Sequence, residues 1–398
     1  MSRFSVAVLA SLILLAVTAP AAWSGTPSSA NGIGAIVEDN AGRSRGMGGA
    51  GTAVGDGWSM LRGNPALIGT FKKPAYGFGF LFNRAVTRPP GESSITFAHT
   101  DPTFVRFVLP LYRSVTLGWG LAPVSQTDVK IALQPNPGDI YTDTVTSSGG
   151  VNLTSFELAG GYRAVSAGIA LNYYFGAIEE EWARDFHNAA GMNNTTDYLK
   201  REFKGYGLTL GALARVSRRF SLGFGYTTPT SMDVSVHLKP GNQDNRDILV
   251  EKGAADLPAS YRLGVAAELS SRLSAAADLT RSEWSNAART AREKSMYNDT
   301  YSFGAGIRFV PSTSPIAGYL STIPLSAGFR IGTLYYKSFP KIESLREIVL
   351  TFGVEIPFKN SSGGLITSYE IGKRGDANSN GWDETFVKIG VSLAGVIK

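Results

Sequence analysis

Glycine dominates the one segment of this chain whose residue types and spacing are those of a phosphate-binding turn. Residues 45–67 read Arg-Gly-Met-Gly-Gly-Ala-Gly-Thr-Ala-Val-Gly-Asp-Gly-Trp-Ser-Met-Leu-Arg-Gly-Asn-Pro-Ala-Leu, and Gly46, Gly48 and Gly51 have the G-x-G-x-x-G spacing. That motif needs a preceding strand and an acidic residue about 20 positions later. Here Ala41-Gly42-Arg43-Ser44-Arg45 precedes the run, and no acidic residue follows at that distance. The context therefore argues against a dinucleotide site.

Metal and nucleophile chemistry has few candidate side chains. The three histidines, His99, His187 and His237, are not spaced for a metal, and the chain has no cysteine. The lack of cysteine excludes a disulfide framework and a lipid-modified cysteine. A serine and a histidine from different strands would suit a lipase or deacylase, but no nucleophile motif is recognisable. We predict no cofactor, no enzymatic activity and, because the net charge of +6 is spread out, no binding of nucleic acid.

The first 24 residues have the features of a secretory signal. Arg3 supplies the positive start, residues 4–17 are apolar, and Ala19-Pro20-Ala21 or Ala22-Trp23-Ser24 offers small residues for cleavage. No later segment approaches the roughly 18 consecutive apolar residues of a membrane helix. The sequence predicts an exported chain.

From Ala75 onward, bulky apolar residues alternate with small or polar ones. Residues 115–122 read Val-Thr-Leu-Gly-Trp-Gly-Leu-Ala, and residues 76–82 read Tyr-Gly-Phe-Gly-Phe-Leu-Phe. Successive side chains of a strand point to opposite faces, so each segment has one apolar face. A secreted β-sandwich would bury these faces together, whereas a transmembrane β-barrel would turn them toward lipid. The 46 glycines, against about 28 at average usage, favour a barrel whose interior must admit a plug or a ligand.

The alternating segments number fourteen. We expect strands over residues 75–83, 97–109, 115–123, 152–163, 165–176, 204–216, 220–238, 259–269, 273–284, 299–311, 323–337, 346–358, 364–372 and 383–393. Thr227-Thr228-Pro229-Thr230 is kept as a bulge in one strand, because bacterial barrels have an even strand number. Short connections such as 217–219 mostly alternate with long ones such as 124–151, 177–203 and 239–258, as periplasmic turns and external loops do. The sequence predicts an all-β, 14-stranded antiparallel transmembrane barrel over residues 73–398.

Several stretches resemble the FadL/TodX family of outer-membrane transporters for hydrophobic compounds. They are the glycine run 46–54 with Asn64-Pro65-Ala66 after it, the run Leu257-Pro258-Ala259-Ser260-Tyr261-Arg262-Leu263-Gly264, and Trp284-Ser285. The resemblance implies an outer-membrane protein for passive uptake of hydrophobic small molecules, such as long-chain fatty acids or aromatic hydrocarbons. Outer-membrane lipid and such a ligand would be its partners.

The resemblance further implies that residues 25–72 form an N-terminal hatch inside the lumen. Gly46, Gly48, Gly49 and Gly51 would let its backbone approach the wall, and Asn64-Pro65-Ala66 would form the return to the wall. A flexible linker is the alternative interpretation of this segment.

Two features depart from the family pattern. Residues 56–60 read Asp-Gly-Trp-Ser-Met where the family has aspartate, serine and threonine, and the chain ends in Lys398 instead of an aromatic residue. A PorV-like component of a secretion system, which would bind a protein partner, therefore stays open. A general porin for polar solutes stays open as well.

Two sets of residues are candidates for the ligand path. Ile178, Trp182 and Phe186 have the i, i+4, i+8 spacing of one helix face in the external loop 177–203, and predict a surface that captures a ligand. Packing onto neighbouring loops is the alternative. The family pattern implies a lateral opening at a kink in the third strand, for which Gly118, Gly120 and Pro123 are candidates.

Charged residues at inward strand positions should face the lumen, because a lipid-facing charge costs a few kcal/mol at mid-membrane. These residues are Glu157, Arg163, Arg215, Arg262, Glu268, Asp278 and Arg308.

Overall fold

The computed structural model describes residues 32–39, 41–88, 94–112, 114–133, 141–186, 191–241, 247–312, 314, 318–337, 343–358 and 363–397. The predicted signal sequence, residues 1–24 and His187 lie outside these ranges, as do residues 25–31 of the predicted hatch. Most of the described chain after Ala75 belongs to one antiparallel sheet.

The sheet is built from eighteen strand segments. They are β1 (Ala35–Ile36), β2 (Ala75–Arg88), β3 (Ile95–Pro110), β4 (Val115–Pro123), β5 (Ser125–Leu133), β6 (Thr142–Tyr162), β7 (Val165–Asp185), β8 (Thr195–Arg215), β9 (Phe220–Thr227), β10 (Thr230–Lys239), β11 (Ile248–Leu257), β12 (Ser260–Glu268), β13 (Leu273–Ser282), β14 (Thr300–Phe309), β15 (Leu325–Thr333), β16 (Arg346–Pro357), β17 (Gly363–Asp376) and β18 (Trp382–Val396).

The helices are short. In the described ranges, four are 3-10 helices, Gly42–Met47, Pro65–Thr70, Trp284–Ala287 and Tyr319–Thr322, and two are α-helices, Ala291–Met296 and Ala377–Asn380. Among the described residues, none of the helices has the length and apolarity needed to cross a membrane.

Segments β2 to β18 form a closed wall of fourteen passes. β4 and β5 both pair with β6 and form one pass interrupted at Val124. β9 and β10 both pair with β8, and β11 continues into β12 beside them. The wall closes where β18 pairs with β2, which places Ala75 opposite Val396. The predicted 14-stranded antiparallel barrel is confirmed, including a single pass across Thr228 and Pro229.

The two faces of the wall differ in polarity in the sense expected for a membrane barrel. Outward side chains are apolar and exposed; Phe156 is 60% exposed, Ile348 61% and Leu350 54%. Their inward neighbours are polar and buried, such as Ser155 at 2% and Thr351 at 0%. A closed barrel with an exposed apolar belt has the surface of an outer-membrane protein.

Several strands extend further at one end than the alternation predicts. β6 and β7 pair residue by residue from Tyr162–Val165 up to Thr142–Asp185, so most of the loops predicted over 124–151, 177–203 and 239–258 is strand. These loop predictions are wrong, because a ladder that rises above the bilayer has no lipid-facing side and therefore shows no apolar alternation. The opposite end carries short turns and both ends of the wall sequence, and is therefore the periplasmic end.

A charge placed in the apolar belt should destabilise the barrel. For Leu350→Arg we expect a loss of about 2–4 kcal/mol in the free energy of unfolding, because the guanidinium would face hydrocarbon near the middle of β16. Urea unfolding from lipid vesicles measures this loss. Leu269→Arg, in the turn between β12 and β13, is the matched control and should lose about 0–1 kcal/mol; equal losses would contradict the assigned membrane face.

Candidate functional site: the lumen and the N-terminal segment

Residues 32–39 and 41–71, called here the N-terminal segment, lie against the inward face of the wall. The 3-10 helix Gly42–Met47 contacts β14 to β18, and the 3-10 helix Pro65–Thr70 contacts β4, β6, β7 and β8. Leu61, Leu67 and Ile68 are all 0% exposed. The segment therefore crosses the lumen from one side of the wall to the other.

Asn64-Pro65-Ala66 begins the second of these helices. The Asn64 Oδ1 accepts a hydrogen bond from the Ala66 N–H at 3.1 Å, and Pro65 occupies the first helical position, where its missing N–H has no effect. The Asn64 Nδ2 donates to the carbonyls of Thr52 at 2.8 Å and Ala212 at 3.0 Å. Asn64 thus joins two parts of the segment to β8, while the return to the wall follows at residues 71–74.

The glycine run contacts the wall through its backbone N–H groups. The Gly48 N–H donates to the Thr351 Oγ1 at 2.9 Å, and the N–H groups of Gly51 and Thr52 donate to the Asp278 carboxylate at 3.0 and 2.9 Å. Gly48 and Gly49 have φ angles of 68° and 84°, which favour glycine.

The other two glycines of the run, Gly46 and Gly51, lie close to neighbouring atoms. A Cβ on Gly51 would lie 3.0 Å from the Ser44 Cβ. A Cβ on Gly46 would lie 2.9 Å from the Gly353 Cα. The run is therefore a turn pressed against strands.

Glycines of the wall face this segment in turn. A Cβ on Gly168 would lie 2.5 Å from the Pro65 carbonyl carbon, one on Gly306 would lie 2.6 Å from the Met47 Cα, and one on Gly211 would collide with Asn64. These distances are below those of real side-chain contacts. The glycine excess of the strands therefore provides room for the backbone of the N-terminal segment.

Ion pairs attach the segment to the C-terminal strands. They are Arg43–Glu355 at 2.7 Å, Arg45–Glu370 at 2.7 Å and Glu38–Arg330 at 2.5 Å. Glu370 and Arg330 are almost fully buried. Buried charges need such partners, because desolvation of an unpaired charge is costly.

The seven charges predicted to face the lumen do not all do so. Glu157 and Asp278 are buried there, Arg262 approaches Asp39 and Arg308 binds Glu355. Arg215 is exposed but donates to the Gly55 carbonyl of the N-terminal segment.

The prediction is wrong for two of the seven. Arg163 and Glu268 lie exposed at the periplasmic turns. Both residues lie outside the hydrocarbon layer, where an outward-facing charge is exposed to water and costs little.

A cavity of about 350 Å³ separates residues 35–39 from the wall. On its external side lie Trp284, Tyr335 and Tyr336, and Trp284 stacks on Tyr335 at 4.1 Å between ring centroids. The Tyr335 hydroxyl donates to the Gly34 carbonyl at 2.8 Å, and Ile33 is buried in the same cluster. The cavity therefore has an aromatic roof, on which the beginning of the N-terminal segment is anchored.

The opposite side of this cavity is polar. The Asp39 carboxylate accepts from the N–H groups of Arg62 at 3.2 Å and Gly63 at 2.5 Å. Burial alone would raise the pKa of Asp39, but the charges of Arg62 and Arg262, with these N–H groups, hold it below its ordinary value. Asp39 is therefore ionised, so the cavity has one aromatic side and one charged side.

The wall has an unpaired seam in its second and third passes. β3 pairs with β4 only over Val105–Pro110, and in the described residues no pairing joins 95–104 to β5. The short strand β1 pairs with β5 there instead, Ala35 opposite Gln126. A second cavity of about 440 Å³ lies at this seam, lined in part by Pro102, Pro123 and Gln126.

Side chains bridge the seam where the backbone does not. The Gln126 Nε2 donates to the Asp101 Oδ1 at 2.5 Å, and His99 lies 3.0 Å from the Asp101 carboxylate. Residues 35–38 line both cavities. The N-terminal segment thus forms the partition between the aromatic cavity and the seam.

A sequence model of the BamG family matches residues 1–394. The chain belongs to the BamG family. We found no match to it among curated protein sequences.

Solved structures with a similar fold were found for this BamG family protein. The toluene transporter TbuX of Ralstonia pickettii is 15% identical, with 91% of this chain and 99% of that chain covered and a TM-score of 0.61. The CymD monoaromatic hydrocarbon channel is 16% identical, with 91% and 99% covered and a TM-score of 0.61. A FadL homologue of Pseudomonas aeruginosa is 13% identical, with 90% and 98% covered and a TM-score of 0.59. The predicted resemblance to the FadL/TodX family is thereby confirmed at the level of the fold.

The BamG protein places the predicted lateral-opening residues in two different settings. Gly118 is paired with Val108 and Glu157, and Gly120 is likewise paired on both sides, so both lie in closed sheet. Pro123 borders the seam. The backbone pairing between β3 and β4 ends at Leu121. The alternation of apolar and small residues in the sequence does not predict this break.

The predicted ligand-capture residues lie on β7 and just beyond it, so the interpretation as a helix is wrong. Residues four apart also share one face of a strand. Ile178 is 1% exposed and belongs to the aromatic cluster of the lumen, Trp182 is 47% exposed, and Phe186 packs edge-on against Tyr141. Their role in ligand capture stays a prediction.

Sequence reasoning missed the aromatic roof. Trp284, Tyr297, Tyr335 and Tyr336 come from two connections at the external end, and three of the four are tyrosines. The strands predicted over 273–284 and 323–337 included Trp284, Tyr335 and Tyr336, whereas the observed strands end at Ser282 and Thr333.

Breaking the buried pair of Arg106 and Glu157 should destabilise the protein strongly. The two side chains are 1% and 3% exposed and form an ion pair, and the Arg106 guanidinium also donates to the Leu61 carbonyl at 2.6 Å. Glu157→Gln leaves a buried charge unpaired, and we expect a loss of about 3–5 kcal/mol in urea unfolding.

The exposed pair of Lys200 and Glu179 is the control for this prediction. Its charged groups are 3.7 Å apart and its side chains are 42% and 64% exposed. Glu179→Gln should lose less than about 1 kcal/mol. A Glu157→Gln protein as stable as the control would show that the lumen is wet at this point.

Proposed function

We propose that this BamG family protein is an outer-membrane channel for the passive uptake of hydrophobic small molecules. One observation carries the proposal: the aromatic cavity and the seam are separated only by residues 35–38 of the N-terminal segment. A molecule that enters under the aromatic roof is therefore one short segment away from the seam, whose periplasmic end at Pro123 adjoins the lipid-facing strand β4.

The chemistry of each stage suits an apolar molecule. The stacked rings of Trp284 and Tyr335 offer apolar area with polar edges, as ligand sites commonly do. Movement of β1 away from β5 requires few backbone hydrogen bonds to be broken, because only two residue pairs join them. Release at the periplasmic end of the seam, beside β4, would return the molecule to lipid, and no energy coupling is needed.

The N-terminal segment would act as the hatch that keeps this path selective. Its buried contacts with β14–β18 and with β4–β8 support a role in closing the lumen to polar solutes. The names of TbuX and CymD, a toluene transporter and a monoaromatic hydrocarbon channel, support aromatic hydrocarbons as one ligand class by analogy of fold. Long-chain fatty acids are the second class.

Uptake of radiolabelled toluene and oleate by a deletion strain tests the proposal. We expect slow uptake without the gene and full uptake with the wild-type gene restored. Trp284→Ala should restore uptake only in part, because it removes the stacked roof. Trp119→Ala is the matched control, because Trp119 stacks on Phe107, which is 49% exposed on the lipid-facing side.

Uptake that does not change on deletion would contradict the proposal. If deletion instead impaired protein secretion, a PorV-like role in a secretion system would be favoured.

A further inference from the structure

The periplasmic end of the barrel carries positive side chains without negative partners. Among the residues that the structure describes, seven exposed basic ones lie at this end: Lys72, Lys73, Arg163, Arg215, Arg218, Arg219 and Arg272. Within the described part of the chain none of them forms an ion pair. Glu268 is exposed at the same end, so the local charge is strongly positive.

Five of these residues, called here the arginine arc, lie close together along the rim. Arg163 lies in the turn from β6 to β7, Arg215, Arg218 and Arg219 lie in and beside the turn from β8 to β9, and Arg272 lies in the turn from β12 to β13. The strands β6, β7, β8, β9, β12 and β13 follow one another in space. The arc is therefore continuous, although its members are far apart in sequence.

The arginines of the arc differ from the arginines of the lumen, because they have no carboxylate partner. Arginines of the lumen are held by carboxylates; Arg374, for example, contacts Glu347 at 2.5 Å and Glu384 at 3.1 Å. In the arc, Arg215 donates to the Gly55 carbonyl at 3.0 Å and Arg272 to the Pro311 carbonyl at 3.4 Å. These bonds neutralise no charge, so the arc keeps its full positive charge.

Apolar side chains accompany the arc at the same height. Tyr162 is 73% exposed beside Arg163, Val216 is 62% exposed beside Arg215, and Leu269 is 54% exposed in the turn of Arg272. They continue the apolar belt of the wall up to the arginines. In membrane proteins, exposed apolar side chains bordered by cations are found where the acyl chains of the lipid meet the head groups.

We propose that the arginine arc binds the phosphate groups of anionic phospholipids in the periplasmic leaflet. A guanidinium presents a fork of donors that matches two phosphate oxygens, and several basic residues near one surface add their attraction to anionic lipid. An acidic protein would supply charge as well, but it gives no reason for exposed apolar residues between the arginines. The apolar neighbours therefore favour lipid.

Lipid retention by the full-length mature protein tests this proposal. The protein is reconstituted in nanodiscs of phosphatidylcholine with a minor share of phosphatidylglycerol, released into mild detergent, and analysed by native mass spectrometry. We expect bound phosphatidylglycerol to be enriched over its share in the disc, and the enrichment to fall as salt rises. In the variant Arg163→Gln/Arg218→Gln/Arg219→Gln/Arg272→Gln the enrichment should fall by about tenfold or more.

A variant with the same loss of charge at the external end is the matched control. Lys239→Gln/Lys252→Gln/Arg292→Gln/Lys294→Gln removes four exposed cations from that end, and it should keep the enrichment. If the arc variant fails to fold, Arg218→Gln/Arg219→Gln replaces it, with a smaller loss of the same sign. A wild-type protein without enrichment, an arc variant that keeps it, or a control that loses it equally would overturn the proposal.

Discussion

A protein that lacks residues 25–66 should conduct ions as an open pore in planar bilayers, whereas the wild-type protein should conduct near background. The deletion removes the contacts that cross the lumen, including those of Asn64 with Thr52 and Ala212. The wall keeps its closure, because β2 and β18 pair along their whole length. This is the largest change that we expect from any alteration of the chain.

A point variant gives the same test with the segment still present. Gly211→Val would drive a side chain into Asn64 and Pro65, so the second 3-10 helix should leave the wall and conductance should rise. Gly161→Val is the control, because the nearest atom to its Cβ is 3.7 Å away, outside the N-terminal segment. An open wild-type pore, or a deletion that conducts no better than wild type, would contradict the hatch.

The fold could be predicted from the sequence because a membrane barrel repeats one local rule. Residues 115–122 and 76–82 show the rule directly, and the requirement for an even strand number joined the two parts of the pass broken at Pro229. The alternation of apolar and small residues is lost where a strand leaves the lipid and enters water. Residues 142–151 read Thr-Asp-Thr-Val-Thr-Ser-Ser-Gly-Gly-Val, and they form strand without apolar alternation because their outward face lies above the lipid.

The site was harder to predict because its parts meet across long sequence distances. The glycine run predicted close packing, but its partners Thr351 and Asp278 are more than 200 residues away. The seam is a break in pairing, and pairing is a property of two strands that neither strand reveals alone. Gly118 and Gly120 therefore suggested an opening where the sheet is closed.

A disulfide between β1 and β5 tests the proposed path directly. The chain has no cysteine, so Ala35→Cys/Gln126→Cys introduces the only possible disulfide, at two residues that lie directly opposite each other in the antiparallel pair of β1 and β5, within the reach of a disulfide. Uptake of radiolabelled toluene is measured in cells with the oxidised pair, with the pair after reduction, and with each single variant. The single variant Gln126→Cys shows whether the loss of the Asp101–Gln126 hydrogen bond affects uptake by itself.

We expect the oxidised pair to lower uptake to the level of the deletion strain, and reduction to restore it to the level of the single variants. A fully cross-linked protein that transports at the wild-type rate would contradict the account that hydrophobic molecules leave the barrel between β3 and β5.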